Sequence, residues 1–227
     1  MNKFKLSALL LSVAILFASC ASMQSNTAKG GAIGAGSGAA LGAIIGGIAG
    51  KGKGAVIGAA IGTAVGGGTG AIIGKKMDKK AAEASAIEGA QVQQVQDNNG
   101  LAAVKVTFDS GILFEFNSST LSPASKRSLT EFADILRQDP TLDIAVFGKT
   151  DKVGSYEANQ TVSNRRAQAV KNFLQMRGVS DYQFKTVQGV GYDDYDDSLT
   201  AAQNRVVDIY MYASEQMIRD ANAQAGH

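Results

Sequence analysis

Residues 142–176, LDIAVFGKTDKVGSYEANQTVSNRRAQAVKNFLQM, contain the clearest pattern of secondary structure in the second half of the chain. Apolar side chains alternate with other residues from Leu142 to Val146, which predicts a half-buried strand. After a polar loop, residues 155–176 carry apolar side chains at helical spacing, and the run ends before Gly178, a residue that favours helix termination. The helix is expected to bury Val162, Ala169, Val170, Phe173 and Leu174.

The flanking residues continue the alternation of strand and helix. Apolar residues alternate from Val104 to Phe108, and two further apolar runs at 184–188 and 206–211 also predict strands. Ser122-Pro123 predicts the N-cap and first residue of another helix. We therefore expect residues 101–213 to form an α/β (α+β) sandwich in a βαβαββ-like order, with the helices packed on one sheet.

The usual patterns of catalytic and metal sites are missing from the sequence. The single histidine, His227, and the single cysteine, Cys20, lie near the two termini, so neither a Ser-His or Cys-His relay nor a His/Cys zinc site is predicted. Gly189-Val190-Gly191 lacks the third glycine of a dinucleotide fingerprint, and the acidic run from Asp193 to Asp197 lacks the glycine and distal Glu of an EF-hand loop. We expect no enzyme activity, no cofactor and no metal.

The charge distribution argues against a nucleic-acid partner. The chain has 22 Lys and Arg against 20 Asp and Glu, a net charge of +2. The lysines of the first half separate apolar runs instead of clustering into a basic patch, which a nucleic-acid-binding surface requires.

The N-terminus has the pattern of a secretory signal. Two lysines precede an apolar run at residues 6–17, which would span about 18 Å as a helix and is too short for a bilayer. The segment Leu16-Phe17-Ala18-Ser19-Cys20 resembles a bacterial lipoprotein cleavage site, although Phe17 stands where that pattern usually has Leu. The resemblance implies that residues 1–19 are a signal peptide and that Cys20 is acylated on its sulfur and its amine. The alternative is an ordinary secretory signal with an incidental cysteine.

The residues after the cysteine suggest the membrane in which the lipoprotein is anchored. In lipoprotein families an Asp at these positions commonly signals retention in the inner membrane. Residues 21–23 contain no Asp, so we expect the protein in the outer membrane. Residues 20–29 would be a lipid-anchored linker.

A glycine occupies every fourth position from Gly30 to Gly74. Lysines divide this ladder into two apolar stretches, 31–50 and 54–74, each long enough to span a membrane as a helix. Small residues four apart let helices approach closely, and the pattern resembles the glycine zipper of outer-membrane-associated lipoproteins. We expect residues 30–74 to form a membrane-embedded helical hairpin. A packed homo-oligomeric or interfacial form and a flexible linker are the two alternatives.

Two polar segments complete the predicted organisation. Residues 75–100, rich in Lys, Glu, Ala and Gln, are expected to be a polar helical spacer that ends in a turn at residues 97–100. Residues 214–227 are expected to be a C-terminal tail.

One set of motifs resembles a known family. Residues 147–154 (FGKTDKVG), Asn159 and residues 162–167 (VSNRRA) are similar to the signature of the OmpA-like peptidoglycan-binding domain. Residues 113–117 (LFEFN) and 204–207 (NRVV) agree with its flanking motifs. The resemblance covers nearly half of the chain and implies the fold of the OmpA-like C-terminal domain.

The resemblance also implies a ligand and its site. The family binds diaminopimelate of the cell wall, whose free end carries an ammonium and a carboxylate on one carbon. Asp151 would bind the ammonium, and Arg166 would bind the carboxylate as a bidentate fork. A structural salt bridge is the alternative for this pair. The family positions near the pocket, which could equally be capping, turn or core residues, are Thr150, Asn159, Phe116 and Asn117.

The sequence departs from the family pattern at three positions. Lys149 stands where the family often has His or an aromatic residue, Val162 replaces the usual Leu, and Val206 replaces a second Arg. The preceding residue, Arg205, matches a family arginine and is expected to be structural.

These observations together predict a function. We expect a lipoprotein of the outer membrane whose C-terminal domain faces the periplasm and tethers that membrane to peptidoglycan without turnover. The alternative is a membrane-active assembly whose glycine-zipper helices oligomerise and whose wall-binding domain serves only for positioning.

Overall fold

The computed structural model describes residues 67–114 and 118–226 of the chain. The strands in these ranges are β1 Ala90–Gln96, β2 Ala102–Asp109, β3 Leu142–Gly148, β4 Phe184–Gly189 and β5 Val206–Ala213. The helices are α1 Gly67–Ser85, α2 Ser110–Leu113, α3 Pro123–Arg137, α4 Tyr156–Met176, α5 Ala201–Asn204 and α6 Glu215–Ala225, with a 3-10 turn at Asp181–Gln183.

Some predictions lie outside the described residues. They are the signal peptide at 1–19, the lipidated Cys20, the linker at 20–29, the glycine ladder from 30 to 66, and the candidate site residues Phe116 and Asn117.

The strands form one sheet in the order β1-β2-β5-β3-β4. Neighbouring strands are antiparallel except β3 and β4, which are parallel. A parallel pair needs a crossover connection, and α4 provides it. The loops that follow β3 and β4 therefore leave the sheet at the same edge, where the Thr150 amide donates to the Gly191 carbonyl at 2.8 Å.

The long helices pack on one face of the sheet, which confirms the predicted α/β sandwich. The rings of Phe108 on β2 and Phe132 on α3 meet edge to face with centroids 5.9 Å apart. On α4, Val170 and Leu174 are fully buried in the same core, as their helical spacing predicts. The apolar core includes residues from α1, α3, α4 and α6, among them Ile73, Met77, Leu129, Leu136, Ala167, Met217 and Ile218.

Helices α3 and α4 both begin after a serine that serves as the N-cap, as the sequence predicts. The Ser122 hydroxyl accepts from the Ser125 amide at the start of α3, and Pro123 occupies the first turn. The Ser155 hydroxyl accepts from the Ala158 amide at the start of α4. These contacts are local in sequence, which is why the start of each helix could be predicted.

The structure corrects the polar helical spacer predicted at residues 75–100. Helix α1 runs to Ser85 and is packed on the sheet, because Ile73, Met77 and Ala81 recur on one face and enter the core. Residues 90–96 form an edge strand, β1, that pairs with β2 in a hairpin. The turn between them follows the prediction: the Gly100 amide donates to the Asp97 carbonyl at 3.0 Å.

The edge strand escaped prediction because its sequence, AQVQQVQ, alternates apolar and polar residues only from Ala90 to Gln93 and loses this pattern at Gln94. Its backbone pairs with the free edge of β2, and its apolar side chains, Ala90, Val92 and Val95, are only partly buried. The order over the sheet is therefore ββαβαββ, with one strand more at the start than the predicted βαβαββ-like order.

The predicted C-terminal tail is also part of the folded domain. Residues 215–225 form α6, which packs on α1, and Thr69 donates a hydrogen bond to Asn222 at 2.5 Å. The structure also corrects the end of the hairpin predicted at residues 30–74. Residues 67–74 are the first two turns of α1, and Ile73 among them is buried in the core of the domain. Within residues 67–114 and 118–226, no helix is both long and apolar enough to cross a membrane.

Candidate ligand-binding site at the ends of β3 and β4

The site lies in the loop that follows β3. The Lys149 amide donates to the Val206 carbonyl at 2.9 Å, and the Thr150 amide donates to the Gly191 carbonyl at 2.8 Å. The loop is thereby attached to its neighbours on both sides before it reaches Asp151, which is 8% exposed.

Both oxygens of the Asp151 carboxylate have partners within the protein. Oδ1 accepts from the Val153 amide at 3.0 Å, and Oδ2 accepts from Nη1 of Arg205 at 2.6 Å. The structural salt bridge considered for Asp151 therefore exists, but its cation is Arg205 and not Arg166. Arg205, expected to be only structural, belongs to the site, and its distance in sequence from Asp151 left no local signal of this contact.

Asn159 holds the shape of the loop. Its side-chain amide donates to the carbonyls of Val153 at 2.9 Å and of Ser155 at 3.1 Å. Gly154 between them has φ +96°, a conformation that other residues rarely adopt. Asn159 is buried by these contacts, so its position supports the loop-forming role among those considered for it.

Thr150 is buried beneath the loop. Its side chain is 4% exposed, and its Oγ1 has no hydrogen-bond partner among the described residues. A buried hydroxyl without a partner is costly, so this atom is suited to a water or a ligand group.

Arg166 approaches the site from α4. Its Nε donates to the Ser118 carbonyl at 3.3 Å, and its guanidinium lies 5.1 Å from the centre of the Phe114 ring. Burial is the main cause that lowers the pKa of Arg166, and repulsion from Arg205 adds to it, while Asp151 acts in the opposite direction. The structure therefore brings Arg166 into the electrostatic range of Asp151, but no ion pair joins the two side chains.

Two glycines set the position of α4. A Cβ added to Gly148 would lie 2.2 Å from the Ser163 carbonyl oxygen, and one added to Gly189 would lie 2.1 Å from the Asn164 amide nitrogen. The helix backbone therefore rests directly on the ends of β3 and β4. The Gly189 carbonyl also accepts from the Gln160 side chain at 2.5 Å.

A buried ionic cluster lies below the site on the other face of the sheet. Lys149 contacts Asp208 at 3.1 Å and Asp194 at 3.6 Å, and Lys105 contacts Asp208 at 3.4 Å. Burial acts to raise the pKa of Asp208, but the two lysines outweigh it and lower the pKa below its usual value. Burial raises the pKa of Asp194. This cluster explains why a lysine is accommodated at position 149.

The cluster was not foreseen from the sequence, although one signal was available. Asp208 interrupts the apolar strand VVDIYMYA, and a charged residue inside a central strand requires a buried partner. Within the part of the chain that the structure describes, no group of three His, Cys, Asp or Glu side chains is placed to hold a metal ion.

Comparison with known proteins agrees with this architecture. Residues 113–212 match the OmpA family, and residues 1–78 match the YMGG-like Gly-zipper. Outer membrane protein A of Bordetella avium is 30% identical over 127 residues, which cover 55% of this chain and 66% of that protein. The probable lipoprotein YiaD of Escherichia coli K12 is 33% identical over 125 residues, 53% of this chain and 54% of that protein. The chain thus spans about half to two thirds of the length of these relatives.

A solved structure supports the fold alone. The crystal structure of a putative MotB-like protein from Desulfovibrio vulgaris superposes with a TM-score of 0.52 at 22% identity, covering 64% of this chain and 96% of that one. The sequence motifs, the sheet topology and the two family matches agree. Residues 113–212 therefore form an OmpA-family domain, which follows a segment of the YMGG-like Gly-zipper type.

Proposed function

We propose that this protein is an outer-membrane lipoprotein that binds peptidoglycan non-covalently and holds the outer membrane to the cell wall. The ligand is the free end of diaminopimelate in the stem peptide, which carries an ammonium and a carboxylate on one carbon. The OmpA-family match and the relatives named outer membrane protein A and probable lipoprotein support this proposal.

One observation carries the proposal: an anion and a cation lie in one site without pairing with each other. The Asp151 carboxylate keeps lone pairs free beyond its two internal bonds. Among the described residues, the terminal nitrogens of Arg166 donate no hydrogen bond, since its contact with Ser118 uses Nε. The two groups therefore offer an acceptor for an ammonium and a fork for a carboxylate.

The strength of such a site suits a tether. Charge-assisted hydrogen bonds contribute about 1.5–3 kcal/mol each, so a few of them give weak binding after the costs of association. Many copies anchored in one membrane and facing one polymer convert weak contacts into firm retention.

The test is co-sedimentation of the full chain, purified in mild detergent, with peptidoglycan of the diaminopimelate type. Wild type is expected to pellet with the wall, and Asp151→Asn and Arg166→Gln are expected to remain in the supernatant. Arg165→Gln is the matched control, because it removes the neighbouring arginine, which is exposed on the same helix.

Two further comparisons make the result specific. Circular dichroism of each variant verifies that it is folded. A wall preparation with Lys in place of diaminopimelate lacks the carboxylate of the head group, so it tests whether binding needs that carboxylate. Equal pelleting of wild type with both walls, or of Asp151→Asn with the diaminopimelate wall, would contradict the proposed ligand.

The membrane anchor in this proposal is acylated Cys20, and the part of the glycine ladder that precedes α1, residues 30–66, adds a membrane-embedded hairpin. Residues 67–74 are excluded from it because they belong to α1 of the folded domain. Radiolabelled palmitate is expected to label wild type but not Cys20→Ala. Alkaline carbonate is expected to leave Cys20→Ala in the membrane fraction, because the hairpin would still hold it; release would argue against the hairpin.

Binding is proposed to occur without turnover. Mass spectrometry of muropeptides after incubation with the protein is expected to show no new products, and any converted muropeptide would instead indicate an enzyme.

A further inference from the structure

Arg205 pairs with the Asp151 carboxylate and is the more exposed of the two side chains. Its side chain remains 41% exposed, whereas that of Asp151 is 12% exposed. A carboxylate has about four lone-pair positions. Arg205 and the Val153 amide occupy two of them, so Asp151 can accept a ligand ammonium without releasing Arg205.

The formal charges of the three ionised side chains in the site do not sum to zero. Asp151 contributes one negative charge, and Arg166 and Arg205 contribute two positive charges that repel each other. The nearby lysines are paired with aspartates outside the site, in the pairs Lys152–Asp197 at 2.6 Å and Lys149–Asp208 at 3.1 Å. Within the group formed by Asp151, Arg166 and Arg205, one positive charge therefore remains uncompensated.

A diaminopimelate head group alone does not neutralise this excess positive charge, because the charges of its ammonium and its carboxylate sum to zero. A second carboxylate on the ligand would neutralise it. The guanidinium of Arg205 can bind it, since its planar donors match a carboxylate and part of the side chain is open to solvent.

We propose that Arg205 binds a second carboxylate of the stem peptide, so that the site selects stem peptides with free carboxylates over amidated ones. This inference rests on the proposed function, in which Asp151 and Arg166 bind the head group.

The test uses the full chain in detergent and the soluble tripeptide L-Ala-γ-D-Glu-meso-diaminopimelate in two forms. In one form all carboxylates are free, and in the other both carboxylates outside the head group are carboxamides. Calorimetric titration of wild type is expected to show about tenfold weaker binding of the amidated form. Arg205→Gln is expected to bind both forms equally, with the affinity that wild type has for the amidated one.

Two variants separate a local contact from a general charge effect. Arg205→Lys keeps the charge but loses the planar fork, so its preference is expected to be intermediate. Arg165→Gln removes an exposed charge from α4 and is expected to keep the tenfold preference.

The outcomes distinguish this inference from the function on which it rests. Equal binding of both forms by wild type, or a tenfold preference that survives Arg205→Gln, overturns the role of Arg205 and leaves the proposed function in place. Binding of neither form by wild type overturns the proposed function and this inference with it.

Discussion

At the scale of single residues, the site depends on charges that the fold has to bury. Asp208 is fully buried and is held between Lys149 and Lys105. Removing one partner of a buried ion pair leaves the other without compensation, and this costs more than the pair itself contributes. The cluster supports Lys149, which directly precedes the Thr150-Asp151 pair of the site.

Asp208→Asn is expected to lower the free energy of unfolding by about 3 kcal/mol at pH 7. Because the pKa of Asp208 is lowered in the folded protein, its contribution is present above the unfolded pKa and is lost as pH falls through the folded value. The variant should therefore lose less stability than wild type between pH 7 and pH 3. Urea unfolding followed by circular dichroism measures this, since the chain has no Trp.

Asp194 provides the control, because burial raises its pKa and its effect has the opposite sign. Asp194→Asn is expected to make the loss of stability at low pH steeper than in wild type. If Asp208→Asn changed neither the stability at pH 7 nor its dependence on pH, the assignment of this ionic cluster would be incorrect.

At the scale of elements, the distance between α4 and the sheet decides whether Arg166 reaches the site. Gly148 and Gly189 let the helix backbone approach the ends of β3 and β4. Since α4 carries Arg166 and the preceding loop carries Asp151, a shift of this helix changes the separation of the two charges.

Gly189→Ala is expected to destabilise the protein by about 1–3 kcal/mol and to weaken binding to peptidoglycan, because the added methyl would meet the helix backbone. Gly74→Ala in α1 is the matched control: nothing lies within 4 Å of its added Cβ, so helix propensity should stabilise the protein by up to about 1 kcal/mol. Thermal unfolding and co-sedimentation report the two effects. Equal thermal stability and equal binding to peptidoglycan in the two variants would contradict the close packing of α4 on the sheet.

At the scale of the whole molecule, the folded unit is larger than the family match. Helix α1, strand β1 and helix α6 lie outside residues 113–212, but they complete the sheet and cover its helical face. The glycine ladder therefore runs directly into the domain, without a separate spacer between residue 74 and the sheet.

The substitution Met77→Ala tests whether the folded domain includes α1. Met77 is 1% exposed in the core, so its truncation is expected to cost about 2–4 kcal/mol. Met176→Ala makes the same chemical change at a side chain that is 76% exposed and is expected to have almost no effect. Urea unfolding of both variants gives the comparison, and equal stabilities would mean that α1 does not belong to the domain.

Several elements could be predicted because their signals are local. Serine caps and helical periodicity located α3 and α4, and alternation located β2 and β3. Strand β1 could not be predicted, because its own sequence keeps a period of two over only its first four residues and its pairing with β2 completes it. Asp151 and Arg166 were selected by motif resemblance, and the structure places both at one end of the sheet.

Local sequence patterns were sufficient to predict the alternation of strand and helix in the sandwich, because periodicity and capping depend on neighbouring residues. The chemistry available at Asp151 and Arg166 follows from the type of these two side chains. The pairing of Asp151 with Arg205 and the packing of α1 on α6 became evident from the folded structure alone. These contacts join residues 54 and 153 positions apart in the chain, and no local pattern encodes such pairs. They form because the sheet brings distant segments to one edge and one face, where burial makes an unpaired charge or an exposed apolar helix costly.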